Sequence, residues 1–160
     1  MTCLRHPTLR CSLGFALCVC LWATPVFASL CLEIKDIEAR SKLLPVAAGN
    51  QLRLQFKHSI YGSAVDEILV VRAHGFELTE LRYGEARLVE FYGHAQARRE
   101  NDAWVVRPEQ VIFPVLNLRV SDAAEMKLSV HTPAKLVTLH LPAGSALRVG
   151  VFSCKQRANG

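Results

Sequence analysis

Hydrophobic and polar residues alternate along almost the whole chain after residue 29, with the period of two that is typical of β-strands. Turn-forming residues separate the alternating segments. Many short strands at near-regular spacing indicate an all-β fold, either an antiparallel β-sandwich or a partly open barrel. The predicted strands are Leu30–Ile37, Gln51–Ile60, Val65–Ala73, Phe76–Tyr83, Arg87–Tyr92, Ala103–Arg107, Val111–Val115, Met126–His131, Lys135–Leu141 and Leu147–Cys154.

Two segments are predicted to lie outside the strands. Ser41–Asn50 is expected to form an exposed loop, and Ser121–Met126 a short connector. Ser121 is a suitable N-cap, but the segment is barely one helical turn long. Because no repeat or long linker interrupts the alternation, the pattern predicts a single domain.

One predicted hairpin carries two polar breaks in its apolar face. The even-numbered residues of Leu52–Tyr61 are apolar except His58, and Glu67 interrupts the following strand in the same way. A glycine first in a two-residue loop suits a type II′ turn, so Gly62-Ser63 is predicted to close the hairpin, and a four-residue loop from Tyr61 to Ala64 would give the same register. This register makes His58 and Glu67 direct cross-strand partners on the inward face, close enough to hydrogen-bond.

The strand after this hairpin contains a change of phase. Phe76 and Leu78 are in one phase, and the apolar residues that follow Thr79-Glu80 are in the other, as expected for a β-bulge. Such a bulge would bring Glu80 or Arg82 close to Glu67. Arg82 is therefore a candidate third member of the polar cluster.

Three interpretations of the His58 and Glu67 pair remain open. It is a satisfied polar pair that fixes the hairpin register, part of a ligand or partner site, or a catalytic or metal-binding pair. In the last case, the third metal ligand would come from His94, His131 or His140. The sequence lacks an H-E-x-x-H spacing, a nucleophile elbow and a glycine-rich phosphate loop, so we predict no catalytic residue, metal ligand or cofactor.

The first residues have the pattern of a secretory signal peptide. Basic residues precede an apolar centre, Cys11–Trp22, and a small residue, Ala28, ends the predicted cleavage site. We predict a signal peptide at residues 1–28 and an exported, periplasmic domain at residues 29–160. The apolar centre is too short to span a membrane, and no later segment is longer, so we expect no transmembrane segment in the mature chain.

Removal of that signal would leave two of the six cysteines, Cys31 and Cys154. A pair near the two ends of an exported domain favours a disulfide, which requires the terminal strands to be neighbours or to face each other. Two unpaired buried thiols are the alternative.

The net charge excludes few functions, although the distribution of the charged residues argues against nucleic acid as a partner. The sequence has a formal net charge of +5, with 19 basic and 14 acidic residues interspersed. It has no basic run with interleaved aromatic residues, so we expect no nucleic-acid binding.

A second candidate surface lies in the aromatic stretch Leu88–Asn101. There Tyr92 and Gly93 place a ring beside a residue of high backbone freedom, which suits a binding loop. A strand end that packs on the core is the alternative.

The chain resembles the small exported bacterial proteins grouped as domain-of-unknown-function family eighteen-fifty. The resemblance covers residues 52–92 and, more loosely, the rest of the mature chain. It is carried by the segments "FELTELRY" and "EFYG" and by earlier residues of the hairpin. Those earlier residues are His58, Ser59, Tyr61, Gly62, Ser63, Val65 and Glu67.

The resemblance implies an association more than a chemistry. Family members look like companions of TRAP transporters of the TAXI type, so the expected function is that of a non-enzymatic periplasmic accessory or binding component. The expected partner is the transporter permease or its exported binding protein. Two alternatives stay open: a small hydrolase or metal-dependent enzyme that uses His58 and Glu67, and a structural module of envelope assembly.

Overall fold

The computed structural model describes residues 30–38, 40–121, 125–132 and 134–154. The predicted signal peptide and residues 122–124 of the predicted connector lie outside the described residues. The described chain is almost entirely β, with one short helix, α1 (Ala86–Phe91). The strands are β1 (Leu30–Asp36), β2 (Ser41–Val46), β3 (Gln51–Lys57), β4 (Ala64–Arg72), β5 (Gly75–Tyr83), β6 (Arg98–Glu100), β7 (Ala103–Val106), β8 (Val111–Phe113), β9 (Val115–Arg119), β10 (Met126–His131), β11 (Leu136–Leu141) and β12 (Ala146–Ser153).

The strands form two antiparallel sheets around one hydrophobic core. The smaller sheet has the order β2-β1-β12-β9, and the larger has the order β11-β10-β3-β4-β5-β7-β6, with β8 also paired to β5. Buried residues of both sheets, such as Leu32 and Val149 in one and Leu52 and Val130 in the other, belong to one cluster. This confirms the predicted all-β, antiparallel architecture of a sandwich or partly open barrel.

The chain passes from the larger sheet to the smaller at Pro114. Phe113 is paired with Phe76 in the larger sheet, whereas Val115 is paired with Gly150 in the smaller. Proline has no N–H to give to a ladder, so hydrogen bonding to a strand is easily interrupted there. The predicted strand Val111–Val115 therefore has the wrong C-terminal boundary, because it includes residues of two strands in different sheets.

The first and last strands are neighbours, as predicted. Strand β1 pairs with β12, and Cys31 lies opposite Phe152. Cys31 and Cys154 form the predicted disulfide, with their Cα atoms 5.1 Å apart and a sequence separation of 123. The alternative of two free thiols is thereby excluded.

The prediction of an exposed loop over Ser41–Asn50 is wrong, because residues 41–46 form strand β2. Leu44 and Val46 are buried while their neighbours are exposed, which is a strand's alternation. Pro45 concealed the strand in the sequence. Its missing N–H is tolerated because β2 lies at the edge of the smaller sheet, where one side of the strand has no ladder to complete.

The prediction of a strand over Arg87–Tyr92 is also wrong, because this segment contains α1. Leu88 is the fully buried residue of the helix and Val89 also packs against the core, so tertiary packing places this short helix. Six residues are too few for a helical period to be distinguished from alternation, and this explains the error.

Candidate functional site

The candidate site is a cleft of about 350 Å³ at one end of the molecule, between the two sheets. Its walls come from the ends of β3 and β9 and from the inner face of β4. His58, Glu67 and Tyr92 line it together. The two polar breaks recognised in the sequence and one of the aromatic candidates therefore share one cavity.

His58 and Glu67 are not cross-strand partners. Glu67 pairs with Leu54, and the β3–β4 ladder ends at Lys57 opposite Ala64. Since His58 is four residues beyond Leu54, about 13 Å of extended chain separates it from the position opposite Glu67. No hydrogen bond joins the two side chains in the described part of the protein. The predicted pairing is wrong, although both residues still lie on the inward side.

The hairpin loop is longer than the predicted Gly62-Ser63 turn. The His58 N–H donates to the Ser63 carbonyl at 2.8 Å, and the Gly62 N–H donates to the His58 carbonyl at 2.8 Å, so the loop closes on His58. Gly62 adopts a φ of 66°, the left-handed region where a side chain would be strained. The glycine was correctly recognised as a turn residue, but it ends a helical turn instead of opening a type II′ turn.

The loop backbone determines how the His58 ring can be used. Its Nδ1 lies 3.4 Å from the backbone N–H groups of both Ile60 and Tyr61, which donate to it. An acceptor Nδ1 leaves the proton of the neutral ring on Nε2. No described residue hydrogen-bonds to Nε2, so this atom is the donor that the buried imidazole can offer to a ligand.

Three aromatic rings hold the imidazole in place. Tyr61 stacks on it at 5.2 Å between centroids, and Phe91 and Tyr92 meet it edge to face at 5.0 and 5.7 Å. Edge-to-face and offset contacts of this kind are favourable beyond the area they bury. His58 is only 7% exposed as a result, whereas Phe91 is 50% exposed and Tyr92 43%.

The end of α1 brings Tyr92 to the cleft. The His94 N–H donates to Val89 and the Gly93 N–H donates to Glu90, which together form a Schellman motif. The motif requires a left-handed residue, and Gly93 supplies it with a φ of 70°. Gly93 therefore ends the helix one residue after Tyr92, whose ring faces His58.

An ionic link fastens the helix to the loop. The Ser63 hydroxyl donates to Glu85, and Arg87 pairs with Glu85 at 2.5 Å. Arg87 also donates to the Tyr61 carbonyl at 3.1 Å and lies over the Tyr61 ring. The hydrogen bond from Ser63, followed by the contact with Arg87, lowers the pKa of Glu85, so the link is held by an ionised carboxylate at neutral pH.

Glu67 is the unusual residue of the site. It lies on the inner face of the larger sheet, between Leu54 and Leu81 on the neighbouring strands. Among the described residues, none gives its carboxyl group a hydrogen bond or an ion pair. Burial raises the pKa of Glu67, because removal from water disfavours the charged form.

Two tyrosines surround this carboxyl group. Tyr83 stacks on Tyr92 with 5.5 Å between ring centroids. Burial is the main cause that raises the pKa of both hydroxyls, and the nearby Glu67 raises them further. Tyr92 therefore contacts the His58 ring and lines the same cleft as Glu67, which the strand register separates from His58.

The structure places the remaining predicted residues as follows. Tyr61 supports His58, and Ser59 lines the mouth of the cleft. The predicted bulge is confirmed, since the β4–β5 register shifts between Ile68 and Leu69. However, Glu67 pairs with Leu81, so Arg82 and Glu80 lie on the outer face, where they bind each other at 2.9 Å. The predicted cluster of Arg82 with Glu67 is wrong.

Two basic residues of the cleft were not predicted from the sequence. Lys57 and Arg119 both line it and are both exposed. Lys57 directly precedes His58, so the sequence already places it in the predicted hairpin. Arg119 comes from β9 in the other sheet, and no local pattern in the sequence indicates that it approaches residues of β3.

The described residues contain no group of three or more His, Cys, Asp or Glu side chains positioned to hold a metal ion. His94 stacks near Tyr83, while His131 and His140 are exposed on β10 and β11. Within the same described ranges, no helix is long and apolar enough to cross a membrane.

No protein-family model matches the chain, and no curated protein and no solved structure is significantly similar to it. The resemblance in residues 52–92 therefore stays a prediction.

Proposed function

We propose that this protein is an exported, non-enzymatic binding or accessory component, and that the cleft of His58, Glu67 and Tyr92 holds its ligand or a segment of its partner. The observation that carries the proposal is the carboxyl group of Glu67, which lies without a partner among the described residues on an apolar sheet face that opens into a cleft.

A purely structural role explains this carboxyl group poorly. A polar group in an apolar environment costs free energy unless it is hydrogen-bonded, and leucine would suit a position between Leu54 and Leu81 better. Binding sites commonly contain residues that reduce stability. An unpaired acid that points into an open cleft is therefore more readily explained by what the cleft binds.

The surroundings of His58 favour binding over catalysis. The backbone N–H groups of Ile60 and Tyr61 occupy Nδ1, and three rings pack against the imidazole. Covalent catalysis by a protein nucleophile needs that nucleophile within hydrogen-bond reach of its base, and no described Ser, Thr or Cys side chain hydrogen-bonds to His58. A rigid ring that offers one donor atom suits the recognition of a ligand.

The resemblance of residues 52–92 supports a periplasmic location and an association with a TRAP-type transporter of the TAXI class. The partner would be its permease or its exported binding protein.

Site-specific cross-linking tests the partner. A photoreactive amino acid replaces Ser59, at the exposed mouth of the cleft, in the full chain expressed in its native host. The matched control replaces His74, which is exposed in the turn at the other end of the β4 strand. We expect a cross-link to a TRAP permease or exported binding protein from position 59 and none from position 74. Equal cross-linking from both positions, or cross-links to neither protein, would contradict the proposed association.

A further inference from the structure

We infer that the cleft binds an amphipathic anion, a molecule with an apolar body and a single negatively charged group such as a carboxylate. This inference rests on the proposed binding function and adds the chemical class of the ligand.

The inner part of the cleft comes from the larger sheet and is apolar except for Glu67. Leu54 and Phe56 alternate along β3, and Met126 of β10 lies directly opposite Phe56. Val120, at the end of the smaller sheet, contributes to the other wall. A volume of about 350 Å³ has room for roughly a dozen groups of the size of a water molecule. An apolar chain or ring system of about ten carbon atoms fits this space.

The mouth of the cleft is positively charged. Lys57 comes from the larger sheet and Arg119 from the smaller, so the two cations flank the opening. Neither forms an ion pair with a described residue, and both remain free to bind a ligand. Glu67 is the one acidic residue among the described residues that line the cleft. The balance at the mouth therefore favours an anion and disfavours a cation.

Uncharged hydrogen-bond donors also favour an anion deeper in the cleft. Nε2 of His58 carries the proton of the neutral ring and has no described partner. Ser59 and Asn117 also line the cleft. An anionic group between Lys57 and Arg119 can accept hydrogen bonds from these residues, while the apolar body reaches toward Met126.

A titration followed at Met126 tests this inference. The sequence contains two methionines, Met1 and Met126, so a ¹³C-labelled methionine methyl group reports occupancy of the cleft by NMR. The probes are decanoate, decyltrimethylammonium and acetate, all below their micelle concentrations. We expect a saturable shift of Met126 with decanoate, binding of the cation at least tenfold weaker, and no shift with acetate. Equal affinity for cation and anion, or no saturable shift with decanoate, would overturn the inference.

Charge variants locate the anionic group. The double change Lys57→Gln and Arg119→Gln should weaken decanoate binding about tenfold, or about 1.4 kcal/mol. The matched control, Lys42→Gln with Arg99→Gln, removes two exposed cations that do not line the cleft. It should leave the affinity unchanged. An equal loss in both double variants would show that net charge, and not the cleft, attracts the anion.

The two proposals fail in different ways. If Ser59 cross-links to a transporter protein but decanoate does not bind, the ligand class is wrong and the accessory function stands. If decanoate binds as expected but no transporter protein is cross-linked, the ligand class stands and the association is wrong.

Discussion

The substitution Glu67→Gln removes a charge from the inner face of the larger sheet without a large change in shape. Because no described residue binds the Glu67 carboxyl group, the substitution breaks no hydrogen bond or ion pair there. In the native protein, burial raises the pKa of this group above its ordinary value of 4.5. The folded protein therefore retains the proton to a higher pH than the unfolded chain.

This difference determines the sign of the effect. Between the unfolded pKa and the higher folded pKa, the native state binds more protons than the unfolded state, so the stability of the native protein falls as the pH rises. At pH 7 the native protein bears the cost of a poorly solvated carboxylate, about 1–2 kcal/mol for a group of this kind. The Glu67→Gln variant does not. We expect the variant to be more stable by that amount at pH 7 and nearly equal at pH 3.5, where the carboxyl group is neutral in both states.

Thermal unfolding followed by circular dichroism, at several values between pH 3.5 and pH 8 with the disulfide intact, measures this difference. A gain of 1–2 kcal/mol corresponds to a rise in Tm of roughly 3–8 °C for a domain of this size. Glu90→Gln is the matched control, since Glu90 is exposed on α1 and does not line the cleft. Its Tm should change little at any pH. A Glu67→Gln variant that is less stable at pH 7, or equally shifted at both extremes, would refute the reasoning.

Four further changes test the fold and the site by urea unfolding. Gly75→Ala should destabilise the protein by about 3 kcal/mol or more, because the added Cβ would lie 2.3 Å from a backbone oxygen. Gly62→Ala should cost only about 1 kcal/mol, because no atom lies within 4 Å of the Cβ that it adds. His58→Ala should cost about 2–3 kcal/mol through lost ring packing, and an unchanged midpoint would contradict the described contacts. Reduction of the bond between Cys31 and Cys154 should lower stability by up to about 5 kcal/mol, and a transition unaffected by reductant would argue against a closed loop of this length.

The disulfide and the fold class could be predicted because they depend on coarse features of the sequence. Alternation with a period of two determines which residues of a strand face inward, and it does so without any knowledge of the partner strand. The pairing of β1 with β12 followed from Cys31 and Cys154, since a bridge requires their Cα atoms to be close. These inferences use constraints that operate over the whole domain.

The register of the β3–β4 hairpin could not be predicted in the same way. The observed ladder pairs each residue of β4 with a residue four positions earlier on β3 than predicted. An even shift keeps every side chain on its original face, so the apolar pattern is equally satisfied by both registers. The hydrogen bonds that close the loop on His58 decide between them. Those bonds depend on how the loop packs against α1, which local sequence does not show.

The loss of the predicted pair strengthens the case for a binding site. Had His58 and Glu67 been cross-strand partners, each would have explained the presence of the other. In the observed register His58 is held by backbone N–H groups and aromatic rings, while Glu67 lies between leucines of the neighbouring strands and shares the cleft with His58 and Tyr92. The cleft then joins these residues to Lys57 and Arg119, which belong to different sheets. Since the hairpin is closed without the Glu67 carboxyl group, this group contributes to the wall of the cleft and not to the turn.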